Sequence, residues 1–119
     1  VVLNVSGPFH SSLMKSAGEK LAAYLEEVEF NDAKIPVVTN VNAEPTTDAA
    51  KIKEALIQQI SGAVKWEESI RKMIDDGVET FVEVGPNRVL KGFMRRIDRS
   101  ANALNVCNLR SLNKTKKKL

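Results

Sequence analysis

The residue best suited to chemistry is His10, the single histidine of 119 residues. It lies in a Ser6-Gly7-Pro8-Phe9-His10 loop, just ahead of a helical pattern that opens at Ser11 or Ser12. An imidazole can take up and return a proton near neutral pH, which suits it to general base catalysis. Gly and Pro on one side and a Ser cap on the other would restrain the ring. A helix N-terminus favours the uncharged imidazole that a base requires. Beside this stands the ordinary reading of a lone loop histidine, a half-exposed side chain with no role. A base also needs a nucleophile, and none is in evidence. There is no Gly-x-Ser-x-Gly elbow. Ser6, Ser11 and Ser12 lie too close along the chain to aim at His10. Cys107 sits in an apolar run and reads as a small core residue.

Other chemistries are poorly served. One Cys excludes a disulfide framework and a Cys-rich zinc site, and one His excludes a multi-histidine metal cage. The six glycines do not cluster into a phosphate loop. Asp75-Asp76 and Glu26-Glu27 read as solvated helix ends. The net charge is +3, yet four lysines (Lys114, Lys116, Lys117 and Lys118) fall in the last six residues. Without them 14 basic residues face 15 acidic ones, so the basic character is assigned to the end and the body is read as neutral. With aromatics at 5%, a nucleic-acid surface of spread cations and stacking rings is not expected. No apolar run approaches the ~20 residues of a membrane-spanning helix. The opening Val1-Val2-Leu3-Asn4-Val5 reads as a strand and not as a signal peptide.

The elements that would position His10 alternate in type. Val1 to Val5 is a β run, broken by Ser6-Gly7-Pro8. A first helix places Leu13, Met14, Ala17, Leu21, Leu25 and Val28 on one face. Pro36 to Val41 is a second strand, and Pro45-Thr46-Thr47-Asp48 offers turn and cap chemistry. A second helix carries Ile52, Leu56 and Ile60, and Ser61-Gly62 interrupts it. A third carries Val64, Trp66, Ile70, Met73 and Ile74 and stops at Gly77. Val78 to Val84 is a third strand, and Gly85-Pro86-Asn87 leads to a fourth helix with Val89, Leu90, Phe93 and Ile97. Ala103 to Cys107 is a fourth strand. This order predicts an α/β fold, with a mainly parallel sheet and helices on its faces. Sites in such sheets form beyond the carboxyl ends of strands, where the His10 and Gly85-Pro86-Asn87 loops fall.

Three segments carry a family resemblance. Ser6-Gly7-Pro8-Phe9-His10-Ser11-Ser12-Leu13-Met14 resembles the histidine motif of malonyl-CoA:acyl carrier protein transacylases. Ala55-Leu56-Ile57-Gln58-Gln59-Ile60, followed by Val64-Lys65-Trp66, resembles that family's helix, loop and tryptophan. Glu83-Val84-Gly85-Pro86-Asn87-Arg88-Val89-Leu90 resembles its Glu-x-Gly-Pro strand-to-helix turn. All three occur in the family's order, and the resemblance extends over nearly the whole chain but for the lysine-rich end.

The resemblance implies a mechanism. A serine on a nucleophile elbow would take malonyl from coenzyme A and pass it to the phosphopantetheine thiol of acyl carrier protein, in a ping-pong scheme. His10 matches the family's general base, and Gln59 the residue whose backbone carbonyl orients that imidazole. Phe9 matches a substrate-side position that crowds an α-methyl group, or else simply packs the loop. Asn40 matches a polar position near the histidine loop, or else is a turn residue. Arg88, Arg95 and Arg96 would face the acidic carrier protein, or else form a solvated helix face. No cofactor is implied beyond the substrates malonyl-CoA and phosphopantetheinyl acyl carrier protein.

The family's nucleophile, oxyanion donors and carboxylate-binding Arg precede the histidine motif and are absent here. The chain is therefore expected to be part of a large α/β-hydrolase-like, three-layer subdomain. Residues 1–112 would form that part, and residues 113–119 a disordered lysine-rich tail. It would be inactive alone, pair with the missing N-terminal part of the enzyme, and self-associate in isolation through exposed apolar surface. A cytoplasmic, stand-alone bacterial enzyme of fatty acid synthesis is the leading expectation. The rivals are a polyketide-synthase-type acyltransferase using another acyl-CoA and a non-enzymatic α/β partner-binding domain. Neither nucleic acid nor membrane is expected as a partner. The transacylase reading requires the His10 ring within ~3 Å of the Gln59 carbonyl, an ordinary hydrogen bond.

Overall fold

The computed structural model describes residues 7–119, so the expected strand over Val1 to Val5 lies outside the described residues. The chain forms two compact units, Val1–Ser69 and Ile70–Leu119.

In the first unit a 3-10 turn, Ser12–Met14, leads into helix α1, Lys15–Glu26. The cap differs from expectation. Ser11 occupies the N-cap position of the short turn but makes no side-chain cap bond, because its hydroxyl is committed backwards to the Pro8 carbonyl. Val28 falls beyond the end of α1. Strand β1, Val37–Val38, pairs antiparallel with β2, Pro45–Thr46. Pro45-Thr46 was expected only to turn the chain. A reversal closed by the Ala43 N–H on the Thr39 carbonyl, with Ala43 at φ 59°, brings it back beside β1. Helix α2, Ala49–Gln58, starts at a well-made cap: the Asp48 carboxylate accepts from the Lys51 N–H at 3.0 Å. Asp32 accepts from the Ala49 N–H at the same end. Helices α1 and α2 pack together, with Gly18 buried beside the Ile57 carbonyl.

Helix α3, Trp66–Asp75, ends at Gly77, whose φ of 90° suits a residue without Cβ. In the second unit, strand β3, Thr80–Val84, pairs parallel with β4, Asn102–Val106. Helix α4, Val89–Ile97, connects them and packs on β4, as does helix α5, Leu109–Lys116. Met94, Leu104 and Thr115 are buried there.

Two expectations are corrected. The mainly parallel sheet becomes, among the described residues, two separate two-stranded ladders, of which only β3–β4 is parallel. The segment Pro36 to Val41 turns back after two paired residues instead of entering a larger sheet. The disordered tail over residues 113–119 is also replaced, since α5 runs through Lys116. Asn108 and Ser111 cap each other reciprocally at its start, and Thr115 is buried. Four charged ammonium groups do not melt a helix whose first turn is closed and whose inner face is covered.

Candidate active site

The histidine loop is held in an uncommon shape. His10 has φ 57°, in the left-handed region where non-glycine residues are sparse. Two contacts hold it there. The Ser11 hydroxyl donates to the Pro8 carbonyl at 2.7 Å, closing the loop around Phe9 and His10. The His10 ring meets the Gln59 carbonyl, Nδ1 to oxygen, at 2.8 Å. A carbonyl only accepts, so Nδ1 carries a proton, and in the neutral ring Nε2 then holds the lone pair. The imidazole is exposed to solvent on the described chain.

Helix α2 supplies that carbonyl for a physical reason. Its last turn tightens: the Gln58 carbonyl accepts from both the Ser61 and Gly62 N–H groups. Gln59 is the C-cap, and its own carbonyl is left without a main-chain donor among the described residues. Such orphan carbonyls close every helix and form the negative end of its dipole. The His10 N–H satisfies this one. The element following His10 opens as a three-residue 3-10 turn. The ring therefore meets the C-terminal end of α2, where the sequence had anticipated a helix start.

The other candidates divide. Asn40 has a main-chain role, its carbonyl accepting from the Lys65 N–H at 2.8 Å. This ties the turn after β1 to the segment entering α3, so Asn40 braces the stretch that follows Gln59. Phe9 is exposed, and its ring lies 3.4 Å from where a side chain on Gly7 would begin. Cys107 receives the Ser111 hydroxyl at 3.6 Å and lies in the second unit. In that unit Glu83 reaches from β3 to the start of α4, accepting from the Leu90 and Lys91 N–H groups at 3.2 and 3.0 Å. Asn105 donates to the carbonyls of Asn87 and Glu83, fixing the Gly85-Pro86-Asn87 turn. The Ser11–Pro8 bond and the left-handed His10 went unread in the sequence. Pro8 two residues before the histidine was the only hint of either. Among the described residues no group of three or more His, Cys, Asp or Glu could hold a metal ion.

No family model matches the chain. Individual proteins do. It is 47% identical over 106 residues, 89% of its length, to the malonyl CoA-acyl carrier protein transacylase of Bacillus subtilis strain 168. A Staphylococcus aureus (strain COL) protein of the same name is 43% identical over 107 residues. The chain is similar to a segment of these transacylases. It spans about a third of their length, 33% and 35%. Solved structures agree. The acyl-carrier-protein-S-malonyltransferase of Bartonella henselae superposes with a TM-score of 0.92 at 35% identity, over 99% of this chain and 38% of that one. A malonyl-transacylase in complex with a type II PKS acyl-carrier protein superposes at 0.91 with 38% identity, over 98% of this chain and 38% of that one. These transacylases share the α/β character of the chain.

Proposed function

We propose that this chain supplies the general base of a cytoplasmic malonyl-CoA:acyl carrier protein transacylase of fatty acid synthesis. The observation that carries the reading is the 2.8 Å contact of His10 Nδ1 with the Gln59 carbonyl. It leaves Nε2 as the proton acceptor. A serine hydroxyl from a part of the protein outside this chain gives its proton to Nε2, and its oxygen attacks the malonyl thioester carbonyl. The carbon–sulfur bond breaks, and the departing thiolate of coenzyme A takes the proton back. In the second half the phosphopantetheine thiol of acyl carrier protein loses its proton to Nε2. Its sulfur attacks the malonyl ester, the carbon–oxygen bond breaks, and the serine is reprotonated. During both halves the imidazolium faces the negative end of α2, where a Ser-His-Asp triad would place a carboxylate. Phe9 lies on the acyl side of His10, and Asn40 supports the loop. The parallel β3–β4 pair joined by α4 supports placing the chain in a large α/β-hydrolase-like subdomain.

The test is His10→Ala in the full-length protein, read by malonyl transfer to acyl carrier protein. Loss of a positioned base lowers kcat by about 10²–10⁴-fold. A variant within a few-fold of the parent would remove His10 from the mechanism.

A further inference from the structure

The cations of this chain are distributed very unevenly. Residues 84–119 hold ten of the 18 Lys and Arg but only one of the 15 acids, a net of +9 against −6 for residues 1–83. The second unit folds part of that excess around one concavity. Arg88 and Lys91 reach it from the start of α4, and Lys114 and Lys118 from α5 and the residues just after it. Ser111 and Thr115 add hydroxyls to its wall. Its volume is about 150 Å³, enough for a small tetrahedral oxyanion, since cavities of about that size take a molecule as large as benzene. Among the described residues no ion pair joins Arg88, Lys91, Lys114 or Lys118 to an acid. Asp98, the single acid after Glu83, is bound by the Ser100 N–H and hydroxyl at 2.7 and 2.6 Å. Glu83 is committed to two N–H groups of α4. Lys91 registers the crowding. Burial, then Arg95, Arg88, Lys118 and Lys114, hold its ammonium below the ordinary lysine range, and no acid offsets them. An uncompensated set of like charges around a hollow costs free energy unless an anion fills it.

We infer that this hollow between α4 and α5 is a binding site for a phosphate group, held by Arg88, Lys91, Lys114 and Lys118. The guanidinium of Arg88 can take two phosphate oxygens at once, and the three ammonium groups act as point charges around the rest. A dianion there relieves the mutual repulsion of the four cations. The inference does not rest on the transacylase reading and uses neither His10 nor Gln59; Arg88 alone is shared with the residues set against the carrier protein.

The experiment is titration of the full-length protein with inorganic phosphate and pyrophosphate, read by calorimetry and by the NMR signal of the Lys91 ammonium group. Saturable binding is expected, with a rise in the Lys91 pKa as the site fills. Lys91→Met is expected to weaken binding about tenfold, the scale of one lost charged hydrogen bond. The double variant Lys114→Met/Lys118→Met is expected to do so at least equally, while Lys20→Met on α1 changes nothing. Coenzyme A and 3′-dephospho-coenzyme A identify the source of the phosphate. Tighter binding of the former, lost in Lys91→Met, assigns the site to the coenzyme's 3′-phosphate. Equal binding of the two assigns it to a free anion. Absence of saturable phosphate binding, or binding indifferent to Lys91→Met, overturns the site. An unmoved Lys91 signal in the parent protein does the same without any variant.

Discussion

At the scale of the residue, the His10–Gln59 contact decides what can be lost and what cannot. The acceptor is a main-chain oxygen, so no side-chain substitution removes it. Gln59→Ala in the full-length protein is therefore expected to lower malonyl transfer by at most about tenfold, against roughly 10⁴-fold for disabling the Asp of a Ser-His-Asp triad. Steady-state kinetics distinguish the two. Ser11→Ala removes the bond that closes the histidine loop on Pro8. It is expected to lower kcat about three- to tenfold at constant KM, the cost of one neutral hydrogen bond spent on position. Ser11→Thr, which keeps the hydroxyl, is expected to restore most of the loss. His10 was legible because a Gly-Pro-Phe-His loop ahead of a helix is a conspicuous place for a lone imidazole. Gln59 became legible only through family resemblance. A backbone carbonyl has no sequence signature, and its freedom comes from the way α2 tightens at Gln58.

At the scale of the element, caps carry much of the local order. The Asp48 side chain closes the first turn of α2, the helix whose last turn presents Gln59. Asp48→Ala is expected to cost about 1 kcal/mol of stability, read as a lower midpoint in chemical denaturation. At the end of α4, two hydrogen bonds from the hydroxyl and N–H of Ser100 hold the Asp98 carboxyl below the usual carboxylate range. Because the folded value lies below the unfolded one, the contact adds stability at neutral pH. That stability is lost as pH falls below about 4. In Ser100→Ala the Asp98 carboxyl is expected to titrate closer to the ordinary aspartate value, which NMR would follow. Helix positions were legible wherever apolar residues recur at helical spacing, as in α2, α3 and α4. The strands were harder. Pro45-Thr46 has the composition of a turn, and its pairing depends on a left-handed Ala43 that no residue type announces. Helix α5 is masked in the sequence by its lysines, and its start rests on the Asn108–Ser111 capping pair, which has the composition of a turn.

At the scale of the whole molecule, the chain spans about a third of the curated relatives it matches, and its surface fits that. Phe9, Leu13, Tyr24, Ile35, Val84 and Leu109 are all more than half exposed. Apolar area of this kind favours association. The isolated 119 residues are expected to sediment as dimers or larger species and to transfer no malonyl. A monomer that transfers malonyl would contradict both. The neutral body is an average over two unequal segments of opposite sign, −6 over residues 1–83 and +5 over the remainder without the four terminal lysines, which total composition does not separate. The crowding of cations between α4 and α5 has a practical corollary. On a sulfonate resin the chain would be retained more tightly than its net charge of +3 implies, because the cations are concentrated in one stretch of sequence and grouped around one hollow.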